Sequence, residues 1–109
     1  MPAGSLIVRE EHLALLKALL LRHVPEAEVW AYGSRVTGGG HEASDLDLVR
    51  RDPRDLSRPQ KNYWELKEAI TDSNTPFLVD VMDWARIPES FREQISKSYV
   101  VIQSQDRDG

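Results

Sequence analysis

The chain has 109 residues, 40% hydrophobic and 29% charged, enough for one small core and no second domain, since single domains commonly need roughly 50 to 200 residues. Its formal charge of −4 and pI near 5.3 count against a duplex-binding surface, which needs a dense Lys/Arg face to displace phosphate counterions. Without cysteine there are no disulfides or thiolate metal sites. The most apolar stretch, residues 13–21, is too short for a membrane span and is interrupted by Lys17, and residues 1–8 lack the basic start and apolar core of a signal peptide. The expectation is a cytoplasmic protein of one domain spanning residues 1–109, with a frayed tail from about 104.

Residues 9–24 (REEHLALLKALLLRHV) place acids at the start, Arg22 and His23 at the end, and a helical stripe of Leu13, Leu16, Leu20 and Val24 beside Leu19. This predicts a first helix, stopped by Pro25. Residues 28–32 (EVWAY) are β-prone and closed by Gly33, which predicts a strand. The glycines Gly38, Gly39 and Gly40 then break the chain. Residues 44–50 (SDLDLVR) alternate, with Leu46 and Leu48 on one face and Asp45 and Asp47 on the other.

Two prolines and many charges make residues 51–59 a loop, and the cluster Arg50, Arg51, Arg54, Arg58 and Lys61 can attract an anionic partner but, diluted by Asp52 and Asp55, reads as a solvated loop. A second helix is predicted from about Gln60 to Thr71 on Tyr63, Leu66 and Ile70, with Trp64 beside them. Residues 77–83 (FLVDVMD) give the plainest strand signal. Pro88 opens a further helix carrying Phe91 and Ile95, and residues 99–102 (YVVI) make a last strand. The order describes an α+β (α/β two-layer) fold, a small mixed sheet of about four strands flanked by helices. Trp30, Trp64 and Trp84 read as core or interface residues.

The chemistry starts at Asp45 and Asp47. Residues two apart on a strand project from the same face, so two carboxylates share one region. They repel each other and resist desolvation unless a cation or donors sit close. A hard divalent ion with oxygen ligands, Mg²⁺ above all, meets that need. Asp80 stands between Val79 and Val81, where a core strand would carry an apolar residue, and is the third candidate; Asp83 has the wrong parity to join it. Three carboxylates on adjacent strands can hold two ions about 3.5–4 Å apart, the arrangement that serves phosphoryl and nucleotidyl transfer. Gly33 allows a sharp turn and Ser34 can open a helical turn facing an anion. Residues 33–39 (GSRVTGG) fail as a P-loop, because Gly39 and Gly40 stand where Lys and Ser/Thr are needed, and G-x-G-x-x-G is missing. Arg35 can pair with a phosphate or a neighbouring carboxylate. The plain alternatives are a half-buried edge strand with outward acids, a salt-bridged Asp80, and Ser34 as a helix cap.

Gly33-Ser34, ten intervening residues and Asp45-Leu46-Asp47 resemble the G-S-x10-D-x-D signature of the nucleotidyltransferase superfamily that includes DNA polymerase beta. The short length, the GSR opening and the SDLDLV strand most resemble the minimal nucleotidyltransferases, the MntA-type antitoxins paired with HEPN-domain toxins. The resemblance implies a polymerase-beta-like fold in which Asp45, Asp47 and Asp80 bind two Mg²⁺ ions and Asp80 helps deprotonate the acceptor. It further implies that Gly33 and Ser34 hold the triphosphate of ATP, beside which Arg35 is the candidate phosphate partner, and that AMP is transferred to a tyrosine of a toxin partner. A chain this short leaves few residues for an acceptor, so a partner protein or a second copy is expected to complete the site. A non-catalytic antitoxin that neutralises its partner by covering it, and a small-molecule adenylyltransferase of the aminoglycoside-modifying type, are the other readings.

Overall fold

The computed structural model describes residues 6, 8–37, 45–59, 63–73 and 75–104. The three glycines, His41, the Ser44 start of the second strand, the Gln60 start of the second helix, Lys61 and the tail from residue 105 lie outside the described residues. Helix α1 (Glu10–His23) starts with Glu10 and Glu11 and ends with Arg22 and His23, each set complementing the helix dipole. Strand β1 (Glu28–Tyr32) follows, then the single-turn helix α2 (Ser34–Thr37) and strand β2 (Leu46–Arg51). Helix α3 (Tyr63–Thr71) leads to strand β3 (Val79–Asp83), a 3-10 turn (Trp84–Arg86), helix α4 (Glu89–Lys97) with Pro88 as its N-cap, and strand β4 (Val100–Gln103). Among the described residues no helix is long and apolar enough to cross a membrane.

The sheet order is β3-β2-β1-β4. β1 runs antiparallel to both neighbours while β2 and β3 are parallel, so the expected mixed four-stranded sheet is present. Strand alternation splits the buried side chains between two faces. On one face Val29, Ala31, Leu46, Leu48 and Val81 meet Leu16 and Leu20 of α1 and Leu66 and Ile70 of α3. Fully burying such an aliphatic side chain is worth about 1.5–3 kcal/mol, so this core carries most of the fold. On the other, Trp30, Tyr32 and Val49 pack with Trp84, Ile87 and Ile95. Trp30 stacks on Tyr99 at 4.0 Å and meets Trp84 edge-on at 5.4 Å. The Arg51 guanidinium covers both indoles at 4.3 and 4.6 Å and pairs with Glu28 at 3.0 Å.

Trp30 and Trp84 are buried, while Trp64 is 73% exposed, which leaves it only the interface half of the core-or-interface reading. One expectation needs correction. Arg50 is not in a solvated loop: β2 continues through Arg51, and parity carries Arg50 to the α1 face, where it is 0% exposed and 3.9 Å from Asp83. A buried cation is tolerated there because the carboxylate is its neighbour on β3.

Candidate functional site

Three strands build one row of polar side chains. Tyr32 on β1 is the register partner of Asp47 on β2, and Asp47 is the register partner of Asp80 on β3. Asp45 lies one residue before β2 and is exposed; Asp47 is half-buried and Asp80 exposed. The entry to β2 is pinned by the Leu46 N–H donating to the Leu78 carbonyl at 2.8 Å. Leu46 and Val79 point the opposite way into the core, which fixes the parity of the acids.

Gly33 closes one side of the row, directly after Tyr32. Its φ of +86° lies in the left-handed region, and a Cβ there would stand 2.5 Å from Oδ2 of Asp47. Both the backbone conformation and the space beside the carboxylate require glycine. Ser34 begins α2 and is exposed, while Val36 two residues on is buried and anchors the turn. The Val36 N–H donates to the Gly33 carbonyl at 2.9 Å.

The electrostatics follow from this crowding. Burial, then the Asp80 charge, then the Asp45 charge push the Asp47 carboxyl above its ordinary value of 3.8. Burial and the Asp47 and Asp80 charges likewise hold the Tyr32 phenol well above its ordinary range, so it stays a neutral donor. Among the described residues no three acid, histidine or cysteine side chains are gathered closely enough to hold an ion as they stand. The donor chemistry nevertheless fits a hard divalent cation. All the donors are carboxylate oxygens, and the repulsion felt at Asp47 is what a cation would relieve.

Arg35 is placed differently from its neighbours in sequence. It is 1% exposed, with its guanidinium 4.3 Å from the Phe77 ring centroid. There it lines a cavity of about 340 Å³ with Val8, Arg9 and His12 on the α1 side. The structure therefore brings Gly33, Asp47 and Asp80 together, sets Asp45 at their margin, and turns Arg35 to Phe77. Tyr32 was missed from the sequence. Its parity with Trp30 in EVWAY hinted at a face, but only the β1–β2 register shows that the face is that of the acids.

Comparison with known proteins agrees with this geometry. The sequence model described as Polymerase beta, Nucleotidyltransferase matches residues 16–108. A probable protein adenylyltransferase MntA from Haemophilus influenzae is 43% identical over 106 residues, covering 95% of this chain and 90% of that protein. Among solved structures, a crystal structure of a toxin-antitoxin with AMP-PNP superposes with a TM-score of 0.61 at 21% identity, covering 90% of this chain and 77% of that one.

Proposed function

Because the chain belongs to the polymerase beta nucleotidyltransferase family, and within it to the minimal nucleotidyltransferases, we propose that it is a Mg²⁺-dependent protein adenylyltransferase. It moves AMP from ATP to a tyrosine hydroxyl of a HEPN-domain toxin and serves as the antitoxin of that pair. The single observation that carries the reading is the Asp47–Asp80 register pair with Gly33 cleared from beside Asp47. The naming of the Haemophilus influenzae relative as a protein adenylyltransferase supports a protein acceptor, and the AMP-PNP of the solved toxin-antitoxin supports an adenine nucleotide donor.

In this reading Asp45, Asp47 and Asp80 would hold the metal. Bound Mg²⁺ supplies positive charge to the triphosphate and to the charge that develops as the α-phosphorus is attacked. The acceptor hydroxyl oxygen forms the new bond to the α-phosphorus, the bond to the β-phosphate bridging oxygen breaks, and pyrophosphate leaves. Asp80, exposed on the outermost strand, takes the acceptor proton. Ser34 donates its hydroxyl to a phosphate oxygen, and Gly33 lets the backbone pass close to the nucleotide. Arg35, stacked on Phe77, anchors the turn that presents them. Tyr32 stays protonated and braces Asp47 from β1.

The test is transfer of label from α-labelled ATP to the toxin encoded beside this chain, with Mg²⁺, for wild type and Asp47→Asn. Wild type should label the toxin on tyrosine, and the variant should lose about a hundred- to a thousandfold in rate, the scale of removing one preorganised electrostatic group. Transfer that survives the substitution would sink the mechanism; toxin binding without transfer by the wild type would favour a covering antitoxin.

A further inference from the structure

Among the described strands β3 ends the sheet, and it borders a cavity of about 360 Å³. In the sheet β3 is terminal and pairs with β2, so its outer backbone groups are those of an edge strand, a template for pairing with another chain. Val81 and Asp83, whose side chains point to the α1 side, line it together with Met82, Arg50 of β2 and the start of α3. It therefore opens beside the β3 edge on the side that α3 covers, next to Asp83. Tyr63 and Trp64 at the start of α3 form its outer wall, and Trp64 is 73% exposed. Leu78, just before the strand, is equally exposed at 73%.

Among the described residues, the charged side chains lining this cavity are Arg50, Asp83 and Arg86. Arg50 Nη2 lies 3.9 Å and Arg86 Nε 3.5 Å from the same Asp83 oxygen. Two cations thus face one anion in a chain whose net charge is −4. The local sign is opposite to that of the molecule and selects an acidic group. Asp80, which takes the acceptor proton in the reading above, is on the same strand three residues before Asp83. Three residues of extended chain span about 10 Å.

We propose that the β3 edge receives the acceptor protein as an extended segment that adds a strand to the sheet, with an acidic side chain entering the cavity near Arg50 and Arg86 and the acceptor tyrosine three residues away at Asp80. The proposal rests on the protein-acceptor reading above. Main-chain hydrogen bonds along the edge supply affinity, and the cavity supplies register, as in other strand-addition complexes. Trp64 closes over the added strand. A nucleic acid suits the edge poorly, because it has no amide backbone to pair with the strand and it calls for a longer track of positive charge.

The probes are two labelled short peptides with a central tyrosine in a Thr/Val/Ser background, one with Glu three positions to either side and the other with Lys there. Binding to the full chain is followed by fluorescence anisotropy, with a labelled oligouridine as a third ligand. The Glu peptide should bind about tenfold more tightly than the Lys peptide, a difference worth about 1.4 kcal/mol. Arg86 has a side chain 71% exposed, so Arg86→Glu should fold normally and abolish or reverse that preference. Trp64→Ala should weaken both peptides several-fold, and Asp47→Asn should leave the preference intact. Equal binding of the two peptides, binding of neither, tighter binding of oligouridine, or a preference untouched by Arg86→Glu would overturn the proposal. A charge-dependent preference in a protein that transfers no AMP would instead uphold the docking edge and refute the adenylyl-transfer reading.

Discussion

The same two strands carry two charged register pairs, three residues apart, and treat them oppositely. At one end Asp47 faces Asp80, two like charges beside the clearing left by Gly33. At the other end Arg50 faces Asp83, opposite charges on side chains that are both buried. Identical backbone geometry therefore yields a pair compensated from within and a pair that needs compensation from outside. The first is answered within the fold, and the second is the pair on which the proposed metal site rests. That division is why a raised carboxyl appears at Asp47, where burial and neighbouring acids act together.

Three substitutions probe this contrast, in descending order of expected effect. Asp83→Ala removes the anion between Arg50 and Arg86. Removing the carboxylate partner of a buried cation typically costs about 3–5 kcal/mol, so chemical denaturation should show a loss of that size. A near-neutral result would mean that the Arg50 end is no more than an ordinary polar contact. Gly33→Ala tests the opposite end: a side chain there takes on a left-handed backbone and meets Asp47 Oδ2. It should cost about 1–3 kcal/mol of stability and depress transfer as well, whereas an unchanged rate would separate Gly33 from the site.

The smallest effect concerns Asp47 itself. Its carboxyl is raised in the folded chain, so the unfolded chain ionises first and the metal-free fold loses stability as pH climbs from 3.8 through the raised value. Below 3.8 the penalty is missing, and above the raised value it is complete. Metal-free Asp47→Asn should therefore melt slightly above wild type at neutral pH, with the gap closing in acid. A variant that melts lower at neutral pH would show that Asp47 is a structural acid.

Much of this was legible in the chain. Alternation in DLDLV set the parity of Asp45 and Asp47 against Leu46 and Leu48, and the same rule separated Asp80 from Asp83. The stripe of α1 and the glycine after EVWAY were equally plain, because each depends only on residues a few positions apart. Tyr32 was hidden, since its meeting with Asp47 depends on a strand register spanning the turn between them. Arg50 was hidden for a different reason: a charged residue beside Arg51 and Asp52 resembles a solvated loop, and only Asp83, far along the chain, makes its burial tolerable. Periodicity alone left Trp64 between core and interface; the helix turns it outward beside the β3 edge, which excludes the core.

The central claim is that the Asp47–Asp80 end awaits a cation carried with a nucleotide. It is tested most directly by thermal unfolding with and without Mg²⁺ and a non-hydrolysable ATP analogue, for wild type and Asp47→Asn. Saturating ligand stabilises whatever state binds it, by about 2.7 kcal/mol at a hundred times the dissociation constant. Wild type should shift upward only when Mg²⁺ and nucleotide are both present, and the variant should not shift. Equal stabilisation of the two proteins, or stabilisation of wild type by nucleotide without Mg²⁺, would contradict the account.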